Sequence, residues 1–209
     1  MKRKVIPAVA VAALLGAVGV YCAWPLLRAG EKPAAGKDAR AAKWAQPIEK
    51  PGLPNLHRVS KDLYRGAQPT AEGMRELKKM GVKTVVSLRS FHSDRDEIGK
   101  TDLAYEHIYM KPWHPETKEA VRFLEIVSDT KRTPVFVHCQ YGSDRTGMMC
   151  AVYRIAVCGW TKEDAIEEMT KGGFGYHNVW KRLIGFLREL DVESVKRQAG
   201  LAGEDSKAP

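Results

Sequence analysis

A short apolar strand, a tight loop and a long helix follow one another between Pro134 and Val157, and this order restricts the fold more than any other feature of the sequence. The run from Pro134 to His138 has the length and apolar character of a buried strand. A helix is predicted from about Arg145 to Val157. In α/β proteins the ligand site lies beyond the carboxyl end of such a strand. The residues between His138 and Arg145 are therefore the first candidate for a functional site.

The rest of the domain also alternates between short apolar runs and amphipathic segments. Thr70 and Thr161 are typical helix N-caps, and Gly81 is typical of a helix end. This order predicts an α/β fold with a central, mostly parallel sheet flanked by helices. The other predicted strands are Leu63–Arg65, Lys83–Leu88 and Tyr105–Tyr109, and the other predicted helices are Thr70–Met80, a segment from Val121 to about Thr130, Thr161–Met169 and Val179–Leu190.

The chain of 209 residues is long enough for one catalytic domain with extensions. An uncharged, mostly apolar run from Val5 to Leu27 follows three basic residues, and it is long enough to cross a bilayer core of about 30 Å. Residues 1–28 are therefore predicted to be a transmembrane anchor. A cleaved signal peptide is the alternative, although its apolar core usually has only about 7 to 15 residues.

Three further segments complete the predicted organisation. Residues 29–54 are rich in Ala, Lys, Pro and Gly, which is typical of a flexible linker. Residues 55–193 form the predicted domain, and residues 194–209 form a polar, frayed tail. The short basic N-terminus favours an inner-membrane anchor with the domain on the periplasmic side of a bacterium. A secreted domain and a domain facing the cytoplasm are the alternatives.

The composition excludes several classes of protein. The net charge of +9 lies partly outside the predicted domain, and no zinc-ligand pairs, helix-turn-helix pattern or basic aromatic ladder indicate a nucleic-acid partner. The four cysteines form no CxxC pair, so neither a metal centre nor a disulfide framework is predicted. Cys150 and Cys158, eight residues apart in a predicted helix, are expected to be buried as small apolar groups.

The loop after His138 carries the residue types that attack on a phosphate ester requires, which are an ionised nucleophile, positive charge around the oxygens and a proton for the leaving group. Cys139 lies between a strand and a helix, where free N–H groups and the helix dipole favour a thiolate. Arg145 offers a planar, bidentate donor to two phosphate oxygens. Gly142 allows a tight turn that directs backbone N–H groups inward. The predicted phosphate-binding residues are Gln140, Tyr141, Gly142, Ser143, Asp144 and Arg145.

Two neighbouring residues have supporting roles in this prediction. Thr146 is expected to hydrogen-bond the sulfur of Cys139 and to help it leave. His138 either orients the loop through its ring nitrogens or is a hydrogen-bonded structural histidine at the end of a strand.

The segment in which His138 and Cys139 are followed by five residues and Arg145 resembles the signature loop of the protein tyrosine phosphatase superfamily. Two further segments, 63–69 and 81–89, resemble the opening of compact bacterial dual-specificity phosphatase domains. The resemblance covers about Arg58 to Leu190. It implies a tyrosine phosphatase-like fold and a two-step mechanism without metal or cofactor. It also implies that Cys139 is the nucleophile and Arg145 the phosphate clamp.

The sequence departs from this family at the general acid, because the loop from Lys111 to Glu116 contains no aspartate. Asp144 resembles the loop aspartate of myotubularin-like and some bacterial lipid phosphatases, and its alternative role is an ion pair with Arg145. Glu116 is either a second candidate acid or a helix cap. His114 is either a third candidate or part of a turn.

Other residues around the predicted site have less specific roles. The loop after Arg89 carries three aspartates that can also reach the site or that are simply solvated, namely Asp94, Asp96 and Asp102. Trp113 and Trp180 are expected to be packing aromatics, with a wall of the substrate site as the alternative. Residues 172–177 are expected to form a bent connection between two helices, with a border of the pocket as the alternative.

Three functions follow from these residues. The first is hydrolysis of phosphotyrosine or other phosphoprotein monoesters, the second is a membrane-associated lipid or inositol phosphate phosphatase, and the third is a catalytically silent module that binds phosphorylated groups. Gln140, Tyr141 and Ser143 are uncharged, which argues against highly phosphorylated inositols. The presence of both Cys139 and Arg145 argues against the silent module. A phosphorylated protein or a small phosphomonoester or lipid is thus the expected partner.

Overall fold

The computed structural model describes residues 42–201, and these contain one six-stranded sheet. The strand order is β1-β2-β3-β6-β4-β5. Strands β3, β6, β4 and β5 run parallel, whereas β1 and β2 add an antiparallel edge. The predicted α/β fold with a mostly parallel sheet is confirmed. The strands are β1 (Gln46–Pro47), β2 (His57–Arg58), β3 (Leu63–Gly66), β4 (Thr84–Ser87), β5 (Ala104–His107) and β6 (Val135–His138).

The helices connect and cover these strands. Thr70 caps the first of them by accepting from the Gly73 N–H at 3.2 Å, and Thr161 caps the fifth by accepting from the Asp164 N–H at 3.1 Å, so both predicted caps are confirmed. Gly81, with φ +83°, stands two residues after the first helix as predicted. The helices are α1 (Ala71–Lys79), α2 (Arg95–Ile98), α3 (Thr117–Ser128), α4 (Asp144–Ala156), α5 (Lys162–Lys171), α6 (Lys181–Glu189) and α7 (Val192–Gln198).

Strand β6 lies at the centre of the sheet, and all four of its residues are buried. Successive side chains of a strand point to opposite faces, so Phe136 packs with α1 and α2 while Val135 and Val137 pack with the helices of the other face. The register pairs His138 with Gly66 of β3 and with Ser87 of β4. The carboxyl ends of three strands therefore meet where the candidate loop begins.

The two unpaired cysteines of the α4 region differ from each other. Cys150 is buried within α4, and desolvation by burial raises the pKa of its thiol to about 11. Cys158 follows the end of α4 and is exposed, so the prediction that it is buried is wrong. The helix ends earlier than its apolar pattern suggests, with Gly159 in the left-handed region at φ +69°.

The folded domain begins earlier and ends later than predicted. Ala45 and Leu53 are buried and Gln46–Pro47 pairs with β2, so residues 45–54 belong to the domain rather than to the linker. Val195 is 1% exposed within α7, so the tail is not frayed at its start. Single apolar residues in polar stretches carry no periodicity, and only tertiary contacts reveal them.

The predicted anchor, most of the linker and the end of the tail fall in residues 1–41 and 202–209, outside the described range. Between residues 42 and 201, none of the helices has the length and hydropathy needed to traverse a bilayer.

Candidate active site

The loop between β6 and α4 is shaped by Gly142. This residue has φ +71°, a conformation that costs glycine little and other residues much. A Cβ atom here would also lie 2.4 Å from the carbonyl carbon and oxygen of Gly66. The predicted tight turn is thus present, and the structure adds a close approach to the end of β3 that only glycine permits.

Cys139 and Arg145 lie at the two ends of this loop. Cys139 directly follows β6 and is 2% exposed, and the N-terminus of α4 begins five residues later at Asp144. Arg145 Nη1 donates to the carbonyl oxygens of Leu88 at 3.1 Å and Met110 at 3.2 Å. These bonds fix the guanidinium across the ends of β4 and β5. The candidate nucleophile and a fixed cation therefore share the carboxyl edge of the sheet.

A pocket of about 210 Å³ opens beside Arg145 and Gln140. Phe91 is 94% exposed and Trp113 is 53% exposed at its edge. Trp180 also lines it, with its ring centroid 6.4 Å from that of Trp113, so these two tryptophans are not only packing aromatics as predicted. The complete lining is Arg89, Ser90, Phe91, Pro112, Trp113, Gln140, Arg145 and Trp180.

Arg65 holds the loop from behind. It is 1% exposed, and its Nη2 donates to the Gly142 carbonyl oxygen at 2.7 Å. Its guanidinium carbon lies 3.8 Å from the centroid of the Phe174 ring. Sequence reasoning assigned Arg65 no role beyond its place in the segment that resembles the family. Its signal was its spacing, because it lies two residues after the buried Leu63 on the same strand.

Residues 172–177 are fastened to the same loop. Ser143 Oγ donates to the Phe174 carbonyl oxygen at 2.7 Å. Asn55 Nδ2 donates to the carbonyl oxygens of Tyr141 and Phe174, each at 3.0 Å. The segment is therefore more than a connection between helices, because it supports the outer side of the candidate phosphate loop.

Asp144 is paired with His177 rather than with Arg145. Its side chain is 9% exposed, its Oδ1 accepts from the His177 backbone N–H at 2.8 Å, and its Oδ2 lies 2.9 Å from His177 Nδ1. The His177 ring is half exposed and lies against Tyr141, with ring centroids 5.8 Å apart. The alternative prediction of an ion pair with Arg145 is wrong.

The other two candidate acids lie in different surroundings. Glu116 precedes α3, where its backbone N–H donates to Glu119 Oε2 at 2.9 Å, and its carboxylate pairs with Lys118. The hydrogen bond from Lys118 lowers the pKa of Glu116, so this group remains ionised and is a poor acid. His114 is 65% exposed and lines a separate pocket with Lys181 and Arg182.

Thr146 is fully buried in the first turn of α4. Its hydroxyl has no hydrogen-bond partner within residues 42–201, so the predicted bond to the sulfur of Cys139 is not formed in this structure.

His138 and Asp94 form a buried pair behind Cys139. His138 Nε2 lies 2.6 Å from Asp94 Oδ2, and its Nδ1 lies 3.1 Å from the Cys139 carbonyl oxygen. Both side chains are fully buried. Asp96 and Asp102 instead line a pocket beside α1. Of the three loop aspartates, only Asp94 reaches the signature loop.

One cluster of side chains in the described residues carries potential metal ligands. His92, Asp94 and Glu97 bring their ligand atoms within 4.8 Å of one another. Both Asp94 oxygens already face other partners, His138 Nε2 at 2.6 Å and Gln68 Nε2 at 2.9 Å. We therefore assign no metal to this cluster.

Comparison with known proteins places this geometry in a family. Residues 48–179 match the family model described as a dual-specificity phosphatase fused to NAD⁺ kinase. The chain is 34% identical over 188 residues to the dual specificity protein phosphatase TpbA of Pseudomonas aeruginosa PAO1, which covers 88% of this chain and 82% of that protein. The crystal structure of P. aeruginosa TpbA superimposes with a TM-score of 0.69 and 34% identity, covering 77% of this chain and 99% of that one.

A more distant structure shares the fold alone. The catalytic core of the PP-IP phosphatase Siw14 from S. cerevisiae matches with a TM-score of 0.62 at 20% identity, covering 71% of this chain and 93% of that one. The signature loop and the TpbA matches carry the assignment. The chain belongs to the dual-specificity phosphatases of the protein tyrosine phosphatase superfamily, and it is a cysteine-dependent phosphoric monoester hydrolase.

Proposed function

We propose that this phosphatase hydrolyses phosphotyrosine and related phosphoprotein monoesters in two steps. The thiolate of Cys139 attacks phosphorus, an S–P bond forms, and the P–O bond to the leaving alcohol breaks as its oxygen takes a proton. Water then attacks phosphorus, the S–P bond breaks, and inorganic phosphate and the thiolate are released. Arg145 holds two phosphate oxygens throughout, and its contacts strengthen as the transition state becomes looser.

The aromatic edge of the pocket is the observation that carries the substrate assignment. Phe91, Trp113 and Trp180 line the space beside Arg145, and exposed aromatic rings favour a planar aromatic leaving group. P. aeruginosa TpbA, which is similar to this chain, has been crystallised in complex with phosphotyrosine. Both observations support an aryl phosphate as the substrate.

The decisive measurement is turnover of a phosphotyrosine peptide by the full chain in detergent, with EDTA present. We expect activity that Cys139→Ser reduces at least about 10³-fold, because this substitution removes the nucleophile. Cys158→Ser is the matched control, since Cys158 is exposed and lies outside the site. Undiminished turnover by Cys139→Ser would refute the assignment of the nucleophile.

We assign the proton for the leaving group to the pair of Asp144 and His177. Asp144 is adjacent to Arg145, and both of its carboxylate oxygens face His177. The half-exposed imidazole is able to exchange protons with solvent, while the carboxylate orients it. The pair thus serves as the general acid, since the loop from Lys111 to Glu116 contains no aspartate for this role.

Substitutions of this pair test the proton source. Asp144→Asn and His177→Gln should each slow hydrolysis of alkyl phosphates by about 10²-fold or more and affect activated aryl phosphates far less. In both variants, the size of the loss in alkyl phosphate hydrolysis should change with pH as the kcat of the unsubstituted enzyme does. Equal losses on both classes of substrate would assign the pair to loop structure instead.

A lipid or inositol phosphate substrate is the competing proposal, and Arg89 favours it. This second arginine lines the pocket with Arg145 and is able to bind an additional phosphate. Phosphoinositide vesicles and a phosphotyrosine peptide, compared at equal concentration, distinguish the two proposals. A kcat/KM that is higher on vesicles, and that Arg89→Gln lowers more on vesicles than on the peptide, would favour the lipid.

The proposal for localisation rests on the sequence alone. The apolar run from Val5 to Leu27 supports an inner-membrane anchor with a periplasmic domain. A C-terminal alkaline phosphatase fusion should be active, and the chain should stay in the membrane fraction after a high-salt wash. An inactive alkaline phosphatase fusion, together with a fluorescent fusion to a reporter that folds only in the cytoplasm, would show that the domain faces the cytoplasm.

A further inference from the structure

The buried contact between Asp94 and His138 has no role in the mechanism above. Asp94 lies in the loop that leads into α2, 44 residues before His138 in sequence, and its carboxylate is fully buried. Its Oδ2 lies 2.6 Å from His138 Nε2, and its Oδ1 accepts from Gln68 Nε2 at 2.9 Å. Gln68 Oε1 in turn accepts from Arg89 Nη1 at 3.0 Å. The carboxylate is thus held by side chains from two other segments.

The hydrogen-bond partners determine the charge of the His138 ring. Nδ1 faces the Cys139 carbonyl oxygen at 3.1 Å, and a carbonyl oxygen only accepts, so Nδ1 carries a proton. Nε2 faces the carboxylate of Asp94, which also accepts. A ring that donates from both nitrogens is an imidazolium. Burial acts to raise the pKa of Asp94, but the hydrogen bond and charge of His138 outweigh burial and keep this pKa low, in agreement with an ionised pair.

The other titratable groups around the pair do not supply a competing partner for the ring. His92 Nε2 lies 3.5 Å from Asp94 Oδ1, which is not the oxygen that faces His138, and 3.2 Å from Glu97 Oε1. The Tyr105 hydroxyl accepts from the Asp94 backbone N–H at 3.2 Å. The nearby arginines are directed to other acceptors: Arg65 to Gly142, Arg89 to Gln68 and Arg145 to Leu88 and Met110.

We propose that Asp94 is a positioning residue that keeps His138 as a buried imidazolium directly before Cys139, so that the cation and the oriented Cys139 carbonyl maintain the thiolate. The inference rests on the proposed function, since it concerns the nucleophile of the same reaction. The physical reason is that the ring lies between the two groups, since its Nδ1 faces the Cys139 carbonyl oxygen while its Nε2 faces the carboxylate. Without the carboxylate a buried imidazolium loses its counter-charge and gives up a proton.

Asp94→Asn tests this role because asparagine keeps the size and a hydrogen bond to Nε2 but removes the charge. The rate of iodoacetamide labelling of Cys139, followed by mass spectrometry of its peptide in the full chain, is measured against pH. We expect the midpoint of the profile to rise by about one pH unit, with labelling about tenfold slower at pH 6 and nearly equal at high pH. kcat/KM for an aryl phosphate should lose about tenfold at pH 6 and recover at high pH. Asp94→Glu keeps the charge, so it should restore part of the labelling rate and part of kcat/KM at pH 6.

Asp96→Asn is the matched control, since Asp96 lies two residues away but lines the pocket beside α1. A pH-independent loss in Asp94→Asn would overturn the inference and leave Asp94 with a structural role. If Asp94→Asn does not fold, ¹⁵N NMR of the unsubstituted protein shows whether the His138 ring is an imidazolium. Protons on both nitrogens at pH 7.5 support the inference, and a neutral ring overturns it.

The labelling profile does not depend on turnover, so the two hypotheses fail separately. An unchanged profile with an inactive Cys139→Ser variant refutes only the role of Asp94. An active Cys139→Ser variant refutes the proposed nucleophile whatever the profile shows.

Discussion

Gly142 is a residue whose replacement is opposed both by its backbone conformation and by close contacts. Its φ of +71° disfavours any side chain, and a Cβ atom would meet the Gly66 carbonyl at 2.4 Å. We expect Gly142→Ala to lower the free energy of unfolding by about 2 kcal/mol or more and to reduce kcat by at least about 10²-fold, because the loop must move away from β3. Urea unfolding and phosphatase assays check both values.

Gly159→Ala is the control for this residue-scale prediction. Gly159 also has a positive φ, +69°, but nothing lies within 4 Å of its added Cβ. Gly159→Ala should lower the free energy of unfolding by only about 1 kcal/mol, because only the backbone conformation is disfavoured, and it should leave kcat unchanged. Equal effects of the two substitutions would mean that the contact with Gly66 is unimportant.

At the scale of elements, the start of α3 carries a pH-dependent contribution to stability. Burial, opposed by a hydrogen bond from the Glu116 backbone, raises the pKa of Glu119 from its ordinary value of 4.5 to about 7. The folded state therefore keeps a proton that the unfolded chain releases. The contribution to stability is complete below pH 4.5 and is lost as the pH rises through about 7.

Glu119→Gln imitates the protonated side chain and keeps an acceptor for the Glu116 N–H. The variant should be more stable than the parent by about 1 to 3 kcal/mol at pH 8 and should lose this advantage near pH 4.5. Chemical unfolding at both pH values measures the difference. Glu125→Gln, exposed on the same helix, is the control, and a pH-independent effect of Glu119→Gln would contradict the prediction.

At the scale of the whole molecule, a buried ion pair joins α4 to α5 and to the first residues of the domain. Arg154 Nε and Nη2 donate to the two carboxylate oxygens of Glu168, each at 2.8 Å. Glu168 also accepts from the Ala45 N–H at 2.7 Å, and Arg154 donates to the Lys43 carbonyl oxygen at 3.2 Å. The pair therefore fixes the backbone of residues 43–45 against α4 and α5.

Glu168→Gln should lower the free energy of unfolding by about 3 to 5 kcal/mol, because it leaves the Arg154 charge buried without its counter-charge. Limited proteolysis should also cut earlier near residues 42–47. Glu163→Gln on the exposed side of α5 should change stability by less than about 0.5 kcal/mol. Similar losses in both variants would show that the buried pair contributes little.

The features that depend on local order along the chain were predictable from the amino-acid sequence. The alternation of apolar strands and helices predicted the sheet. Single side chains, Thr70 and Thr161, predicted the helix caps. Cys139, Gly142 and Arg145 were found together because they lie within one loop. These features are local because caps, turns and a strand-loop-helix unit form from residues close together in the chain.

The side chains that support this loop were not predictable, because they come from distant parts of the chain. Asp94 reaches His138 across 44 positions, His177 reaches Asp144 across 33, and Arg65 reaches Gly142 across 77. No periodicity or spacing encodes such pairs. They arise because parallel strands bring their carboxyl ends to one edge of the sheet, where buried polar groups must find partners among whatever segments meet there.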